Sequence, residues 1–284
     1  MCTAISIMQY FGRNLDLDRS YGQLVTVAPR NFPLSHMDSH SAIIGMATVA
    51  KGYPLFFEGT NEWGLSVAAL NFPGNAVYHK PVEGKENIPS YDFISHLLTR
   101  CRTCRDAEAL LSNAVICDSQ FAEDLPATPL HWLIADKRTA LVAESTDAGL
   151  QLYDDPIGIL TNNPPFPIQL ERLQNGEIPA DAFSSRGRFM RAAYIRTHAA
   201  GCDVSRFFRM LDAVSVPEGC VEAEDGYLET LYSCCCDTEK GIYYYTTAEN
   251  RQITAVDMHK LDLNSTKLHK FPLVNTEQIH WVNP

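Results

Sequence analysis

MCTAISIMQYFGRNLDLD, residues 1–18, carries a cysteine where removal of Met1 would make it the first residue. An N-terminal cysteine holds a thiol and a free α-amine on the same residue. The amine titrates at about 7.7–8.0, so near neutral pH it can take the proton of its own thiol, directly or through water. Such a residue is a nucleophile with its base built in. Position alone leaves a second reading open, a cysteine packed in an ordinary buried strand. The same stretch alternates apolar and polar residues over Thr3–Tyr10, the period of a strand.

Period-two patterns dominate the first third of the chain. Residues 22–29 (GQLVTVAP) and 41–49 (SAIIGMATV) read as strands. Residues 53–74 read as two strands joined by a turn around Gly59–Glu62. A helix is expected after the cap-like Pro89–Ser90, with Phe93, Leu97 and Leu98 on one face, and a second short helix over 105–114. Strands return over 129–145, turning at DKR, and over 149–165. Arg188–Ala199 and Ser205–Val214 have helical spacing, and 230–258 reads as a meander of strands. Strands, helices, strands, helices, strands in that order predict an α+β fold of two stacked antiparallel sheets covered by helices. No internal repeat or linker divides the chain, and residues 1–284 are expected to form a single domain.

Composition narrows the function classes. The 284 residues carry 23 Lys and Arg against 34 Asp and Glu, a formal net charge of −11. With no basic run, this argues against nucleic-acid or acidic-membrane partners. The longest apolar stretch, residues 41–50, is half of the roughly 20 residues that a membrane span needs. No charged segment followed by an apolar one marks a signal peptide, so a cytoplasmic protein is expected. Nine irregularly spaced cysteines fit reduced thiols better than a disulfide scaffold. CRTC (Cys101, Cys104) lacks a second spaced pair, and HMDSH (His36, His40) lacks a zincin glutamate. No metal and no cofactor are expected.

Seven further stretches resemble, in order, the conserved blocks of the choloylglycine hydrolase family of bile salt hydrolases and penicillin V acylases. They are MCTA (1–4), FGRNLDL (11–17), PRNF (29–32), TNEWGLSVAALNFPGNA (60–76), LHWLIAD (130–136), IGILTNNP (157–164) and EKGIYYYTTAENRQI (239–253). The resemblance implies the four-layer αββα sandwich of N-terminal nucleophile hydrolases, with Cys2 as nucleophile once Met1 is gone. It matches Arg13 and Asp16 to a conserved Arg and Asp; a guanidinium beside the sulfur would favour thiolate, and a carboxylate could orient the amine. Asn71 and Asn162 match two site asparagines, implying an oxyanion hole from the Asn71 backbone N–H and the Asn162 side-chain amide. The family arginine ahead of a helix matches Arg188 in FSSRGRFMRAAY (183–194), with Arg186 as the competing choice.

The implied activity is hydrolysis of a linear amide by acyl transfer to Cys2. Asn71, where many penicillin acylases carry Tyr, favours conjugated bile acids, with penicillin V, N-acyl homoserine lactones or N-acyl amino acids as alternatives. Ile5, Phe32 and Phe57 are candidate lining residues for a steroid pocket. The family also implies a homo-oligomer. However, only residues 164–185 separate Asn162 from the arginine region, without the long loop that supports a tetramer in Gram-positive members. Three readings lie outside the family. They are a Cys2–His131 pair of papain type, a binding protein with a degenerate site, and a metal site at Cys220 with Cys234–Cys236.

Overall fold

The computed structural model describes every residue except Ile178, Ala180 and Pro284. Two antiparallel sheets account for most of the strands. The first has six strands, in the order Ile159–Leu160, Cys2–Ile7, Tyr10–Leu17, Glu229–Asp237, Ile242–Thr247, Thr254–Asp257. The second has eight, in the order Gly149–Asp154, Ala140–Thr146, Leu130–Ala135, Ser66–Asn71, Tyr53–Asn61, Ile43–Ala50, Leu24–Ala28, His269–Pro272.

Period-two patterning determines how these sheets stack, because alternate side chains leave a strand on opposite faces. In the eight-stranded sheet Ile44, Met46, Ala68, Leu70, Leu133 and Ala135 join the core shared with the six-stranded sheet. Their neighbours Ile43, Ala47, Val67, Trp132 and Ile134 join a second core. That second core is closed by the helices Phe93–Arg100 and Cys104–Leu111, and Phe93 stacks on Trp132 with ring centroids 4.1 Å apart. The outer face of the six-stranded sheet is covered by helices Ser185–His198 and Val204–Asp212, which bury Phe189, Ala192, Phe207 and Leu211. Helix, sheet, sheet, helix is the layering that the alternation predicts.

Three local features depart from the sequence reading. The turn expected around Gly59–Glu62 falls at Glu62–Leu65, because Gly59 pairs with Val67 inside the ladder. The strand expected over Thr3–Tyr10 ends at Ile7, and Met8–Gln9 turn it back into the second strand. Residues 166–174, in a stretch that reads as a connection, form a helix with proline in its first turn, a position that needs no N–H.

The two strands Cys2–Ile7 and Tyr10–Leu17 lie side by side in the six-stranded sheet, and Gly12 permits the close approach of the second to Glu229–Asp237. A Cβ at Gly12 would lie 1.9 Å from the Cys234 carbonyl oxygen. Gly12→Ala must therefore push neighbouring central strands apart, and is expected to lower the unfolding free energy by about 3 kcal/mol. Urea unfolding measures this, and an unchanged midpoint would contradict the close packing.

Candidate active site

A fork in the eight-stranded sheet creates the site. Strand Tyr53–Asn61 pairs with Ser66–Asn71 only from Glu58 to Thr60, opposite Ser66–Ala68. On its other side a bulge sets Glu58 against Met46 and Phe56 against Ala47, leaving Phe57 outside the register. Beyond the last pair the carbonyls of Phe57 and Ala69 have lost their ladder partners. Arg13 reaches across from the six-stranded sheet to fill the gap. Its Nη1 donates to Ala69 O at 2.6 Å and to Phe57 O at 3.1 Å, and its Nε donates to Asn14 O at 3.3 Å.

Asn71 ends the forked strand. The Phe72 N–H donates to Pro129 O at 2.8 Å, so strand alternation turns the Asn71 N–H and C=O the other way, into the fork. The Asn71 carbonyl accepts Nδ2 of Asn162 at 2.7 Å. Oδ1 of the same amide accepts the main-chain N–H of Cys2 at 2.8 Å and Nη2 of Arg188 at 2.9 Å. An amide nitrogen carries two hydrogens, and among the described residues Asn162 uses one of them in this way.

The other half of the site lies under helix Ser185–His198. Arg188, fully buried, donates from Nη1 to Thr3 Oγ1 at 2.6 Å and also to the Cys2 carbonyl. Its Nη1 lies 3.7 Å from Asp16 Oδ2. Burial pulls the Arg188 guanidinium below its usual range, against Asp16 and Cys2, which favour its charge. Arg186 instead points outward and pairs with Glu177. Asp16 Oδ1 accepts Thr230 Oγ1 at 2.6 Å, while Oδ2 is buried without a hydrogen-bond partner. Nη2 of Arg13 is likewise buried and unpartnered. Burial opposes the Arg13 cation, yet the neighbouring Cys2, Tyr232 and Glu58 carry its pKa above the ordinary arginine value. The site thus holds one spare acceptor and one spare cationic donor.

Cys2, Arg13 and Asn71 border a cavity of about 280 Å³. Its remaining walls are mostly apolar, including Leu17, Tyr21, Phe57, Phe121, Leu125 and Leu130. The loop after Cys117 contributes Phe121, held between Tyr53 and Tyr91 at centroid distances of 5.7 and 5.3 Å. Of the three sequence-level lining candidates, Phe57 borders the cavity. Ile5 does not, because it lies an odd number of residues from Cys2 and faces the opposite side of the strand. Phe32 packs instead against the second core.

His131 is not paired with Cys2. Its ring nitrogens lie 3.0 Å from Glu144 Oε1 and 2.7 Å from Thr161 O, and its ring stacks on Phe72. It thereby fixes the backbone just before Asn162. Gln169, on the unexpected helix, donates to Asn162 O at 2.7 Å and accepts Thr161 Oγ1 at 2.9 Å. Helical spacing over 166–174 is the signal that would have found it. Cys101 and Cys104 are buried packing residues whose thiols burial pushes up to about 12. Cys234–Cys236 lie in the central strand Glu229–Asp237, while Cys220 is exposed outside it. His40 has both ring nitrogens 2.7 Å from backbone carbonyls.

The profile of the linear amide C–N hydrolases, choloylglycine hydrolase family, matches residues 2–181 and 176–271. Over their full lengths, this chain is 39% identical to a bile salt hydrolase/transferase of Lactiplantibacillus plantarum and 32% identical to one of Clostridium perfringens. The structure superposes on a crystal structure of a mutant conjugated bile acid hydrolase from Clostridium perfringens with a TM-score of 0.94, at 32% identity over the whole of both chains. A penicillin V acylase from Agrobacterium tumefaciens shares the fold, with a TM-score of 0.75 at 20% identity over 96% of this chain and 91% of that one.

The two arginines before Phe189 separate by measurement. Arg188→Ala leaves Asp16 buried and uncompensated and is expected to cost about 3–5 kcal/mol. Arg186→Ala loses a surface pair and is expected to cost less than about 1 kcal/mol. Denaturant unfolding of both variants checks this; equal effects would contradict the buried role of Arg188.

Proposed function

This chain belongs to the choloylglycine hydrolase family of linear amide C–N hydrolases, and on that premise we propose that it cleaves the amide joining a bile acid to glycine or taurine, with Cys2 as nucleophile. The carrying observation is the position of Cys2. Its main-chain nitrogen is fastened to Asn162, and the residue borders an apolar cavity together with Arg13, whose Nη2 is buried without a partner.

Removal of Met1 converts the Cys2 nitrogen from a peptide N–H into an amine. Asn162 Oδ1 retains it, and in this reading the second acceptor is Asp16 Oδ2, which has no hydrogen-bond partner and lies 3.7 Å from Arg188 Nη1. The amine takes the thiol proton, and the sulfur attacks the amide carbonyl. The Asn71 N–H and the second N–H of Asn162 stabilise the oxyanion, each worth about 10²–10³ in rate. As the carbon–nitrogen bond breaks, the ammonium protonates the departing amino acid. Water then hydrolyses the thioester and restores the thiol. The acyl group lies along the apolar walls, and Arg13 offers a cationic donor beside the sulfur. Arg188 and Asp16 hold the nucleophile strand from behind, as a compensated buried pair. Every catalytic group is supplied by residues of the chain.

The reading includes a cytoplasmic location, which the irregular spacing of the nine cysteines supports. Among the described residues no helix is long and apolar enough to cross a membrane.

Intact mass and released amine, measured together, test the reading. The expected result is a chain lacking Met1 that liberates glycine from glycodeoxycholate. Cys2→Ala should lower release by about four orders of magnitude or more, and Asn162→Ala by about 10²–10³ in kcat. Turnover of penicillin V with bile conjugates untouched would replace the substrate assignment. A mature Cys2 terminus that turned over neither would overturn the reading.

A further inference from the structure

Arg13 has a counter-charge that lies outside the cavity. Glu58 projects from the eight-stranded sheet into the space between the sheets, 1% exposed, with Oε2 3.9 Å from Nε of Arg13. Its two oxygens are held by side chains of the six-stranded sheet: Tyr243 donates to Oε1 at 2.6 Å and Tyr232 to Oε2 at 2.7 Å. The Met46 N–H donates to Oε1 at 3.2 Å. Among the described residues, Arg13 is the one basic group paired with this carboxylate. The other ionisable neighbours are Tyr232, Tyr243 and the thiols of Cys234 and Cys236.

Around Cys2, then, two fully buried arginines each face one carboxylate: Arg188 faces Asp16, and Arg13 faces Glu58. The Asp16 pair is tied to the nucleophile's own strand. The Glu58 pair crosses between sheets and meets the nucleophile only through Arg13.

We infer that Glu58 is a positioning residue which, by balancing the charge of Arg13 and holding it in the fork, sets the pH range over which the Cys2 thiol is reactive. Facing Glu58, Arg13 keeps Nη2 as a directed donor while the carboxylate offsets part of its positive charge beside the sulfur. Remove the carboxylate charge and an uncompensated guanidinium faces Cys2. The thiolate is then favoured, and the thiol deprotonates at lower pH. Burial lifts Glu58 above the ordinary carboxylate range, against Arg13, the two tyrosine hydroxyls and the Met46 N–H, which favour its charged form. Those hydroxyls therefore serve to keep the counter-charge in place.

This inference rests on the assignment of Cys2 as nucleophile, and one experiment separates the two. In the mature enzyme, alkylation of Cys2 by iodoacetamide is followed against pH by peptide mass, with the exposed Cys220 as internal reference. Glu58→Gln is expected to lower the pH midpoint of Cys2 alkylation by about one unit or more. Glu58→Asp keeps the charge and is expected to hold the midpoint of the parent. In turnover of a glycine conjugate, the Glu58→Gln loss is expected in kcat with KM unchanged, since Glu58 does not border the cavity. An unshifted midpoint in Glu58→Gln, or equal shifts in both variants, would overturn the inference. If Glu58→Gln does not fold, Tyr232→Phe weakens the carboxylate at Oε2 and is expected to give a smaller shift in the same direction; no shift there overturns it equally. Should Cys2 of the parent react no faster than Cys220 at any pH, the nucleophile assignment itself falls.

Discussion

Burying a guanidinium in the gap between two diverging strands is the constraint around which the molecule is organised. Arg13 bonds the carbonyls of Phe57 and Ala69, which the fork has deprived of ladder partners. Without it, two buried acceptors would be unsatisfied at the point where the sheet opens, a cost of about 1–3 kcal/mol each. With it, the sheet can open without collapsing, and the opening becomes a cavity bordered by Cys2. The bulge at Phe57, the contact with Glu58 and the close approach at Gly12 all help to bring this one side chain, from the opposite sheet, into register with the gap.

A second set of contacts fixes what faces the arginine. Asn162 is held from three directions. Its side chain spans Cys2, Arg188 and Asn71, its carbonyl accepts Gln169, and the residue before it is gripped by His131. Each of these partners comes from a different element. In the proposed mechanism this amide presents one N–H to a developing charge, and its other groups are committed before substrate arrives.

Much of this was legible in the sequence, and for a physical reason. Period-two patterning belongs to a surface buried on alternate sides, so the two sheets and their faces can be read from runs such as Ile43–Ala47 and Ser66–Asn71. Cys2, Arg13, Asp16, Asn71 and Asn162 sit in short blocks whose order is itself informative. What stayed hidden is what depends on contacts between distant strands. Glu58 looks like an ordinary strand glutamate until the opposite sheet places Tyr232, Tyr243 and Arg13 around it. Ile5 looks as eligible for the cavity as Cys2 until strand parity sends it to the other face. Helix Phe166–Gln174 was obscured by prolines that begin it rather than break it.

Met1 is a rung of the first sheet: its carbonyl accepts the Asp16 N–H at 2.9 Å, and its amine donates to the Asp16 carbonyl. A peptidase must draw an extended terminus into its own cleft, and a terminus already paired on both sides with Asp16 does not offer itself. On the proposed maturation, loss of Met1 takes away both of these contacts, so the strand would begin at Cys2 and the N–H and carbonyl of Asp16 would lose their partners at the edge of the site.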